Sequence, residues 1–406
     1  MPHRDIVDSP GRGLRCVEPR KSVRSRRRVI VRTGALLGTA SRIAAAAIAL
    51  RQLRSFVRLV RWKRAWRCAD PAAADLAEPD RILVVAYREP TALLLDSYKH
   101  FESARGSSKY LLVLHESDDP RQREALVTAG VPVSVCSSPS PLKGSMLNWV
   151  LAQPELEGRS VAIYDSDSRP EGIVGAAHAA VVQQPSLYAP RSSCDILFLG
   201  MALNQTRWSC AEESHRTPWQ RGWYSVSHGL SLPRNREAWP SPSFRSDLQV
   251  EDLEFGYRSR ENGVPHRIDR RGFDVAEAPD SLADQVAQAS RWFMGELRAL
   301  SSQEASRRFA NRWIGLAWWL AGPSIVTVSS VVALSRRDRL AIVLLSLALS
   351  VDHLAFRKLL RIVTKSHSFD FPRGRAYGRC WLGFLLKPVV GQRGAIAALL
   401  SSRPSG

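Results

Sequence analysis

The chain has 406 residues, and 45% of them are hydrophobic, which is enough to bury a large core and to build two or three domains. Its net charge of +20 is unevenly divided: residues 1–67 hold 18 Lys and Arg against 3 Asp and Glu, and residues 301–406 hold 16 against 4, which leaves −7 for residues 68–300. An acidic centre argues against nucleic acid as a partner, and basic ends beside apolar segments indicate membrane lipids.

The six cysteines are scattered along the chain, and no two of them form a Cys-x-x-Cys pair. The sequence therefore predicts neither a zinc site nor a compact disulfide framework. A reducing compartment is the simplest interpretation.

The N-terminal region is basic and changes character near residue 41. Residues 1–40 are rich in Arg and Ser, so we expect them to be disordered. Residues 41–72 place Arg on one helical face and Leu or Val on another, which predicts a basic amphipathic helix in the headgroup region of a membrane. The two faces are formed by Arg51, Arg54, Arg58 and Arg61, and by Leu50, Leu53, Val57 and Val60. A solvated basic helix docked on the protein is the alternative.

Strands and helices alternate through the first half of the central region, residues 80–300. The apolar patterns predict strands at residues 81–87, 110–114, 131–136 and 161–164, and helices at residues 91–103, 121–129, 142–151 and from 165 to 182. Alternating elements of this kind form parallel βαβ units. We therefore expect an α/β, doubly wound sheet whose ligands bind beyond the carboxyl ends of its strands.

Two carboxylates follow the fourth predicted strand. Side chains alternate along a strand, so Asp165 and Asp167 lie on one side and Ser166 on the other, where two oxygen ligands can converge on one hard cation. The alternative is a turn in which Asp bonds its own backbone. The position at the carboxyl end of a parallel strand favours the metal site.

Two further motifs lie in the less regular second half of this region. Asp252, after Glu251, opens a predicted helix, although an acid pair at a helix start is also favoured by the helix dipole alone. Gln288, Arg291 and Trp292 share one helical face, so that an aromatic plane and a fixed cation can act together. An aromatic anchor at a membrane junction is the alternative for this group.

The C-terminal region, residues 313–400, predicts transmembrane and interfacial helices. Residues 313–334 are uncharged and long enough to cross a bilayer of roughly 30 Å hydrocarbon thickness. Residues 340–351 form a shorter apolar segment, residues 356–379 are basic and aromatic, and residues 380–400 form a third apolar stretch. A hairpin of two spans returns the basic segment to the side of the main domain, which the positive-inside rule makes cytoplasmic.

Four motifs follow one another in a fixed order along this pattern. They are Lys143-Gly144-Ser145-Met146-Leu147-Asn148, Asp165-Ser166-Asp167, Glu251-Asp252 and Gln288-Ala289-Ser290-Arg291-Trp292. Together they resemble glycosyltransferase family 2, and within it the membrane-embedded branch that includes the cellulose, chitin and hyaluronan synthases. The resemblance covers roughly residues 80–300 and the helices that follow. It implies the Rossmann-like, nucleotide-sugar-binding arrangement called GT-A.

The resemblance also implies roles for these motifs. Asp165 and Asp167 match the pair that orients Mg²⁺ or Mn²⁺ on the diphosphate of the sugar nucleotide. Asp252 matches the general base that deprotonates the acceptor hydroxyl. Lys143 matches a lysine near the nucleotide. The motif of Gln288, Arg291 and Trp292 lines the acceptor and the diphosphate.

The nucleotide-binding segments depart from the family pattern. The segment after the first strand reads Tyr87-Arg88-Glu89-Pro90, and we expect Tyr87 and Glu89 to face the nucleotide. After the second strand, where the family has an Asp pair, this chain has His115-Glu116-Ser117-Asp118-Asp119. Glu116 is the first candidate for the nucleotide-contacting acid, and Asp118 is the second.

The resemblance implies a membrane-bound, inverting glycosyltransferase in the cell inner membrane, multi-pass, with its catalytic domain in the cytoplasm. It would move a sugar from a nucleotide-sugar donor, expected to be a uridine diphosphate sugar, to a glycan or a lipid-linked acceptor, as in polysaccharide biosynthesis. Because the membrane portion is smaller than in polymer-extruding synthases, single addition to a lipid carrier is an alternative. A catalytically inert basic membrane-binding protein is the alternative from another class.

Overall fold

The computed structural model describes residues 20–67, 75–189, 195–213, 229–235, 244–248, 250–301, 310–366 and 371–401. The strands are β1 Arg81–Ala86, β2 Lys109–His115, β3 Val133–Cys136, β4 Val161–Tyr164, β5 Val181–Gln183, β6 Ser186–Ala189, β7 Leu230–Leu232, β8 His266–Ile268 and β9 Asp274–Glu277. The helices are α1 Arg20–Arg67, α2 Thr91–Ala104, α3 Pro120–Thr128, α4 Lys143–Leu151, α5 Ile196–Trp208, α6 Glu251–Glu261, α7 Leu282–Ser301, α8 Ala310–Ser335, α9 Arg339–Ser366 and α10 Gly374–Ser401, with a 3₁₀ turn at Pro154–Leu156 and a π-helical turn at Ser209–Glu213.

The main sheet has the strand order β3-β2-β1-β4-β7-β5-β8. Strands β1 to β4 are mutually parallel, whereas β7 runs antiparallel to both β4 and β5. Strands β6 and β9 form a separate parallel pair. The prediction of an α/β fold with a parallel sheet is confirmed.

Both faces of the sheet are buried at β1, and this strand is accordingly apolar at every position after its first. Ile82 and Val84 face the core that contains α2, whereas Leu83 and Val85 face the core that contains α4. This alternation follows from the two-residue period of a strand. It places the loops after β1 and β4 side by side at the carboxyl edge of the sheet.

The helix predicted for residues 165–182 is wrong. A turn and an extended segment follow β4, and β5 begins at Val181. The backbone N–H of Val174 donates to the Tyr164 hydroxyl at 2.8 Å, and that of Gly175 donates to the Asp269 carboxylate at 2.8 Å. These hydrogen bonds to distant residues replace the local hydrogen bonds of a helix. Strand β4 is therefore followed by a loop that the rest of the domain holds in place.

Helix α1 begins at Arg20, so residues 20–40 are helical and the predicted disorder is wrong there; residues 1–19 lie outside the described residues. From Ser41 onward the helix packs against α8 and α9. The Ser41 hydroxyl donates to the Ser329 carbonyl at 3.2 Å, and Arg42 pairs with Asp338 at 2.7 Å. These contacts join parts of the chain almost 300 positions apart, but they lie at the end of the segment predicted to be disordered, and residues 35–40 are mostly exposed.

Helix α1 has a docked face and an open face. Leu59 and Trp62 are buried against α9, and Arg58 is buried too, contrary to its predicted outward position. Leu50 and Leu53 are 68% and 46% exposed. The helix is therefore docked on the protein, as the alternative interpretation has it, and still leaves an apolar stripe uncovered.

Three helices are long and apolar enough to cross a membrane: Trp313–Ser335, Arg339–Lys365 and Gly374–Ser401. The first agrees with the predicted span at residues 313–334. The second joins the predicted apolar segment 340–351 to much of the predicted interfacial segment in one continuous helix. The third, α10, packs closely against α5 and α7 of the sheet domain, because Gly200 and Gly383 let the backbones of α5 and α10 touch.

Candidate functional site

A cavity of about 1350 Å³ lies beyond the carboxyl ends of β1 and β4 and continues among the long apolar helices. Its lining at the sheet includes Tyr87 and Glu89 after β1, Lys143 on α4, Asp165 and Asp167 after β4, Glu251 and Asp252 on α6, and Gln288, Arg291 and Trp292 on α7. The structure therefore brings all four motifs to one cavity, although they are spread over 150 positions of the sequence.

Asp165 and Asp167 belong to a tight turn and also face the cavity. The Ser168 N–H donates to the Asp165 carbonyl at 3.1 Å, which closes the turn through the backbone. Ser166, on the opposite side, is buried, and the Ser168 hydroxyl donates to Asp274 at 2.9 Å. The turn and the metal site are therefore compatible, because backbone bonds fix the turn and leave both carboxylates at the cavity wall.

Lys143 is held between carboxylates. Its ammonium pairs with Asp165 and lies 3.7 Å from a Glu251 oxygen. Burial alone would lower the pKa of Lys143, but the negative charges of Asp165, Glu251 and Asp252 raise it above its ordinary value. The lysine therefore stays protonated and places a fixed positive charge beside the Asp165 carboxylate.

The rest of the Lys143 motif positions the acids of α6. A Cβ on Gly144 would lie 2.3 Å from the Arg245 carbonyl oxygen, so only glycine allows this approach. The Asn148 amide donates to the Phe244 carbonyl at 2.6 Å and accepts from the Phe244 N–H at 2.9 Å. These contacts fix the segment before Glu251, a role that sequence reasoning missed although both residues belong to the quoted motif.

The pKa values of two glutamates at the cavity are also shifted. Burial raises the pKa of Glu251 to about 7, Lys143 opposes this shift, and Asp252 adds to it. Burial also raises the pKa of Glu89, as do the negative charges of Asp167 and Asp165. Glu251, for which we predicted no separate role, is therefore a titratable group in the site; it lies next to Asp252 in the sequence and is buried in the structure.

The donor set at β4 fits a hard divalent cation. Among the described residues no group of three or more His, Cys, Asp or Glu side chains forms a metal site. Two carboxylates can supply only part of an octahedral shell, and Mg²⁺ commonly takes the remainder from water and substrate phosphates. Asp165 and Asp167 therefore fit Mg²⁺ or Mn²⁺ bound together with a diphosphate.

The α7 motif lines the same cavity. The Trp292 ring lies 6.4 Å from the Tyr188 ring, edge to face, which fixes its plane. The side-chain oxygen of Gln288 is buried and has no hydrogen-bond partner among the described residues. Arg291 is exposed at the cavity wall. The wall thus offers an acceptor atom, a cation and an aromatic plane to a ligand.

The structure does not bring Glu116 or Asp118 into the cavity lining. Glu116 is exposed at the end of β2. Asp118 is buried and accepts the backbone N–H groups of Arg88 at 3.0 Å and His115 at 2.9 Å. Asp118 therefore ties together the loops after β1 and β2, with Arg88 in the left-handed region at φ 56°.

No protein-family model and no curated protein matches the chain. Among solved structures it is similar to the mannosyltransferase PcManGT from Pyrobaculum calidifontis in complex with GDP-Man and Mn²⁺, with 16% identity and a TM-score of 0.50 over 90% of this chain and 100% of that one. It also matches glucosyl-3-phosphoglycerate synthase from Mycobacterium tuberculosis in complex with Mn²⁺, UDP and phosphoglyceric acid, with 15% identity and a TM-score of 0.35 over 57% of this chain and 81% of that one. At such identities the first likeness shows the fold alone, and the chain has the α/β fold of the GT-A glycosyltransferases.

Proposed function

We propose that the protein is a membrane-bound glycosyltransferase of family 2 that transfers a sugar from a nucleotide sugar with inversion at the anomeric carbon. The observation that carries this proposal is the single cavity that joins Asp165, Asp167, Lys143, Asp252 and the α7 motif. Holding buried ionisable groups together costs stability, and such clusters are typical of functional sites. A catalytically inert membrane-binding protein would have no need of this cluster.

The donor binds at the β4 end of the cavity. Asp165 and Asp167 would hold Mg²⁺ or Mn²⁺, which would supply positive charge to balance the charge that develops on the departing diphosphate. Lys143 and Arg291 add positive charge at the same end. PcManGT is described with GDP-Man, so guanosine and uridine diphosphate sugars are both donors to be tested, although the family branch led us to expect uridine.

The acceptor is deprotonated at α6. Asp252 is only partly buried and lines the cavity, so it can accept the proton of an acceptor hydroxyl that attacks the anomeric carbon opposite the diphosphate. Glu251 is buried and near Lys143, which suits a residue that positions the lysine. Inversion follows from a single displacement.

The three apolar helices support a membrane-bound, multi-pass protein. Basic residues at the ends of the chain favour a cytoplasmic side for the sheet domain, where nucleotide sugars are found, and hence the cell inner membrane. The acceptor is then a glycan or a lipid-linked molecule at the membrane surface.

Donor turnover by the full chain in detergent tests the proposal. We expect release of a nucleoside diphosphate from at least one member of a panel of UDP- and GDP-sugars, with Mn²⁺ and not with a chelator. Asp252→Asn should lose transfer by at least about 100-fold, the usual range for a general base, and keep nucleotide binding. Asp247→Asn, at an exposed ion pair with Arg245, is the matched control. If no donor in the panel shows metal-dependent turnover, the protein is not a glycosyltransferase of this kind.

A further inference from the structure

The turn that carries Asp165 and Asp167 is held by an arginine that is not part of the cavity lining. One terminal nitrogen of the Arg169 guanidinium, Nη1, donates to the Ser166 carbonyl at 3.1 Å and to the Ser168 carbonyl at 2.7 Å. These two carbonyls belong to the residues before and after Asp167. The arginine therefore fixes the backbone on both sides of that carboxylate.

The two carboxylates of the turn are placed by different means. The Asp165 carboxylate pairs with Lys143, and the Asp165 carbonyl accepts the Ser168 N–H at 3.1 Å, so its side chain and its backbone are both anchored. Asp167 lies between the two carbonyls that Arg169 holds. The direction in which Asp167 enters the cavity therefore depends on the guanidinium.

Arg169 is itself held by β9 and by α2. Its backbone N–H donates to the Val275 carbonyl of β9 at 2.9 Å. Its side chain donates to one oxygen of Asp96 on α2, through Nε at 3.1 Å and through Nη2 at 2.6 Å. The donors of a guanidinium are fixed in one plane, so a carboxylate that holds two of its nitrogens also sets the direction of the third. Asp96 therefore aims Nη1 at the turn.

The loop that contains the turn has further attachments that do not involve the guanidinium. His100, one helical turn after Asp96, has its Nε2 atom 3.1 Å from the Pro170 carbonyl oxygen. The Ser168 hydroxyl donates to Asp274 at 2.9 Å. Loss of the Arg169 side chain should therefore leave the loop in place and release only the peptide groups beside the second carboxylate.

The ion pair between Arg169 and Asp96 contributes little to stability. The two side chains are 23% and 70% exposed. Exposed pairs stabilise a fold weakly, because water screens their charges and ordering two flexible side chains costs entropy. A cation site is far more sensitive to such a pair, because Mg²⁺ demands near-ideal octahedral geometry at about 2.0–2.1 Å and the two carboxylates must keep their separation.

We propose that Arg169 is a positioning residue for the carboxylate pair and that Asp96 acts through it. The guanidinium holds the peptide groups beside Asp167 so that both carboxylates can reach one divalent cation. This inference rests on the proposed function, in which Asp165 and Asp167 hold the cation that binds the nucleoside diphosphate. It makes the affinity for the metal depend on two residues that lie outside the cavity lining.

Nucleotide binding over a range of Mn²⁺ concentrations tests the inference. The probes are UDP and GDP, titrated calorimetrically into the full chain in detergent at each Mn²⁺ concentration and in a chelator. We expect Arg169→Gln to raise the Mn²⁺ concentration that gives half-maximal nucleotide binding about tenfold or more, as the loss of one charge-assisted hydrogen bond predicts. Affinity in the chelator should not change. Arg169→Lys keeps one charged donor and should lie between Arg169→Gln and wild type.

A double-mutant cycle separates positioning from a general loss of structure. Asp96→Ala should raise the Mn²⁺ requirement by a smaller factor, because Arg169 keeps its bonds to the carbonyls. The double variant should equal Arg169→Gln alone, since Asp96 acts only through the arginine. Arg267→Gln is the matched control, because Arg267 and Asp75 form a pair at 2.8 Å whose side chains are 27% and 69% exposed. It should need the same Mn²⁺ concentration as wild type.

The melting temperature without ligand shows which variants are folded. An unchanged Mn²⁺ requirement in folded Arg169→Gln, an equal rise in Arg267→Gln, or additive effects in the double variant would overturn the inference. If Arg169→Gln does not fold, Asp96→Ala decides, and an unchanged Mn²⁺ requirement there overturns it.

The wild-type protein separates this failure from failure of the proposed function. If wild type needs Mn²⁺ to bind a nucleotide and the arginine variants need no more of it, Arg169 does not position the pair and the metal site stands. If wild type binds neither nucleotide in an Mn²⁺-dependent way, the metal site and the positioning role are both rejected.

Discussion

Gly200 on α5 and Gly383 on α10 form the contact through which the sheet domain holds the C-terminal apolar helix. A Cβ on Gly200 would lie 1.8 Å from the Cys380 carbonyl oxygen, and a Cβ on Gly383 would lie 1.9 Å from the Leu197 carbonyl oxygen. These are backbone atoms, so no side-chain rotation relieves the clash. Because carbon contacts are comfortable near about 3.5 Å, alanine at either position must separate the helices by roughly 1.5 Å.

Gly200→Ala should therefore destabilise the full chain in detergent. Overpacking of this kind costs about 1–3 kcal/mol, which exceeds the roughly 0.5–1 kcal/mol that alanine gains over glycine within a helix. We expect the melting temperature to fall by several degrees. Gly378→Ala is the control on the same helix, because a Cβ there meets nothing within 4 Å. Equal melting temperatures for the two variants would refute the close contact.

Three further perturbations follow from the site. Asn148→Ala should lower the melting temperature and reduce donor turnover about tenfold or more, since it removes both bonds to Phe244, whereas Asn262→Ala, at an exposed position after α6, should do neither. Glu251→Gln should change the pH dependence of stability. Burial raises the pKa of Glu251 from 4.5 to about 7, so the folded state keeps the proton longer and stability from this residue is lost as pH rises through about 7. One pKa unit is worth about 1.4 kcal/mol, so the free energy of unfolding of the variant should gain on that of wild type between pH 5 and pH 8 by an amount of the order of 3 kcal/mol, and its melting temperature should rise accordingly. Parallel pH profiles would show that Glu251 is not buried as the structure has it. Chelation should abolish donor turnover, and Mn²⁺ in excess of the chelator should restore it; turnover that persists in the chelator would reject the metal.

The sequence predicted those parts of the fold that depend on local patterns. Strand β1 is apolar at consecutive positions because both of its faces are buried, and this pattern identifies a central strand of an α/β sheet. Asp165 and Asp167 follow the equally apolar β4, so their place at the carboxyl edge was predictable too. The positions of Asp252 and the α7 motif became predictable only through the family resemblance.

Other features depend on contacts between distant parts of the chain. The docking of α1 on α8 and α9 depends on contacts such as the Arg42–Asp338 pair, which no window of the sequence contains. Strand β7 pairs antiparallel with β4 and with β5 through only a few residues, too short for a clear pattern. Asp118 is buried where it accepts two backbone N–H groups, and this arrangement depends on the geometry of the turn.

The cavity that joins the carboxylates to the apolar helices could not be predicted for the same reason. Lys387 lies within the third apolar stretch and Gln205 lies in α5, and both line the cavity. The two residues are far apart in the sequence and come together only in the wall of the folded cavity. Only packing of α10 on α5 and α7 places these side chains around one space.

In the proposed function, Asp165 and Asp167 hold a divalent cation that binds the diphosphate of a nucleotide. Calorimetric titration of the full chain with UDP and GDP, with Mn²⁺ or with a chelator, measures this directly. We predict that at least one nucleoside diphosphate binds with Mn²⁺ and binds at least about tenfold more weakly with the chelator or in Asp167→Asn. Asp75→Asn, at an exposed ion pair with Arg267, should bind as wild type. Equal affinity with and without the metal, or in Asp167→Asn and wild type, would contradict the claim.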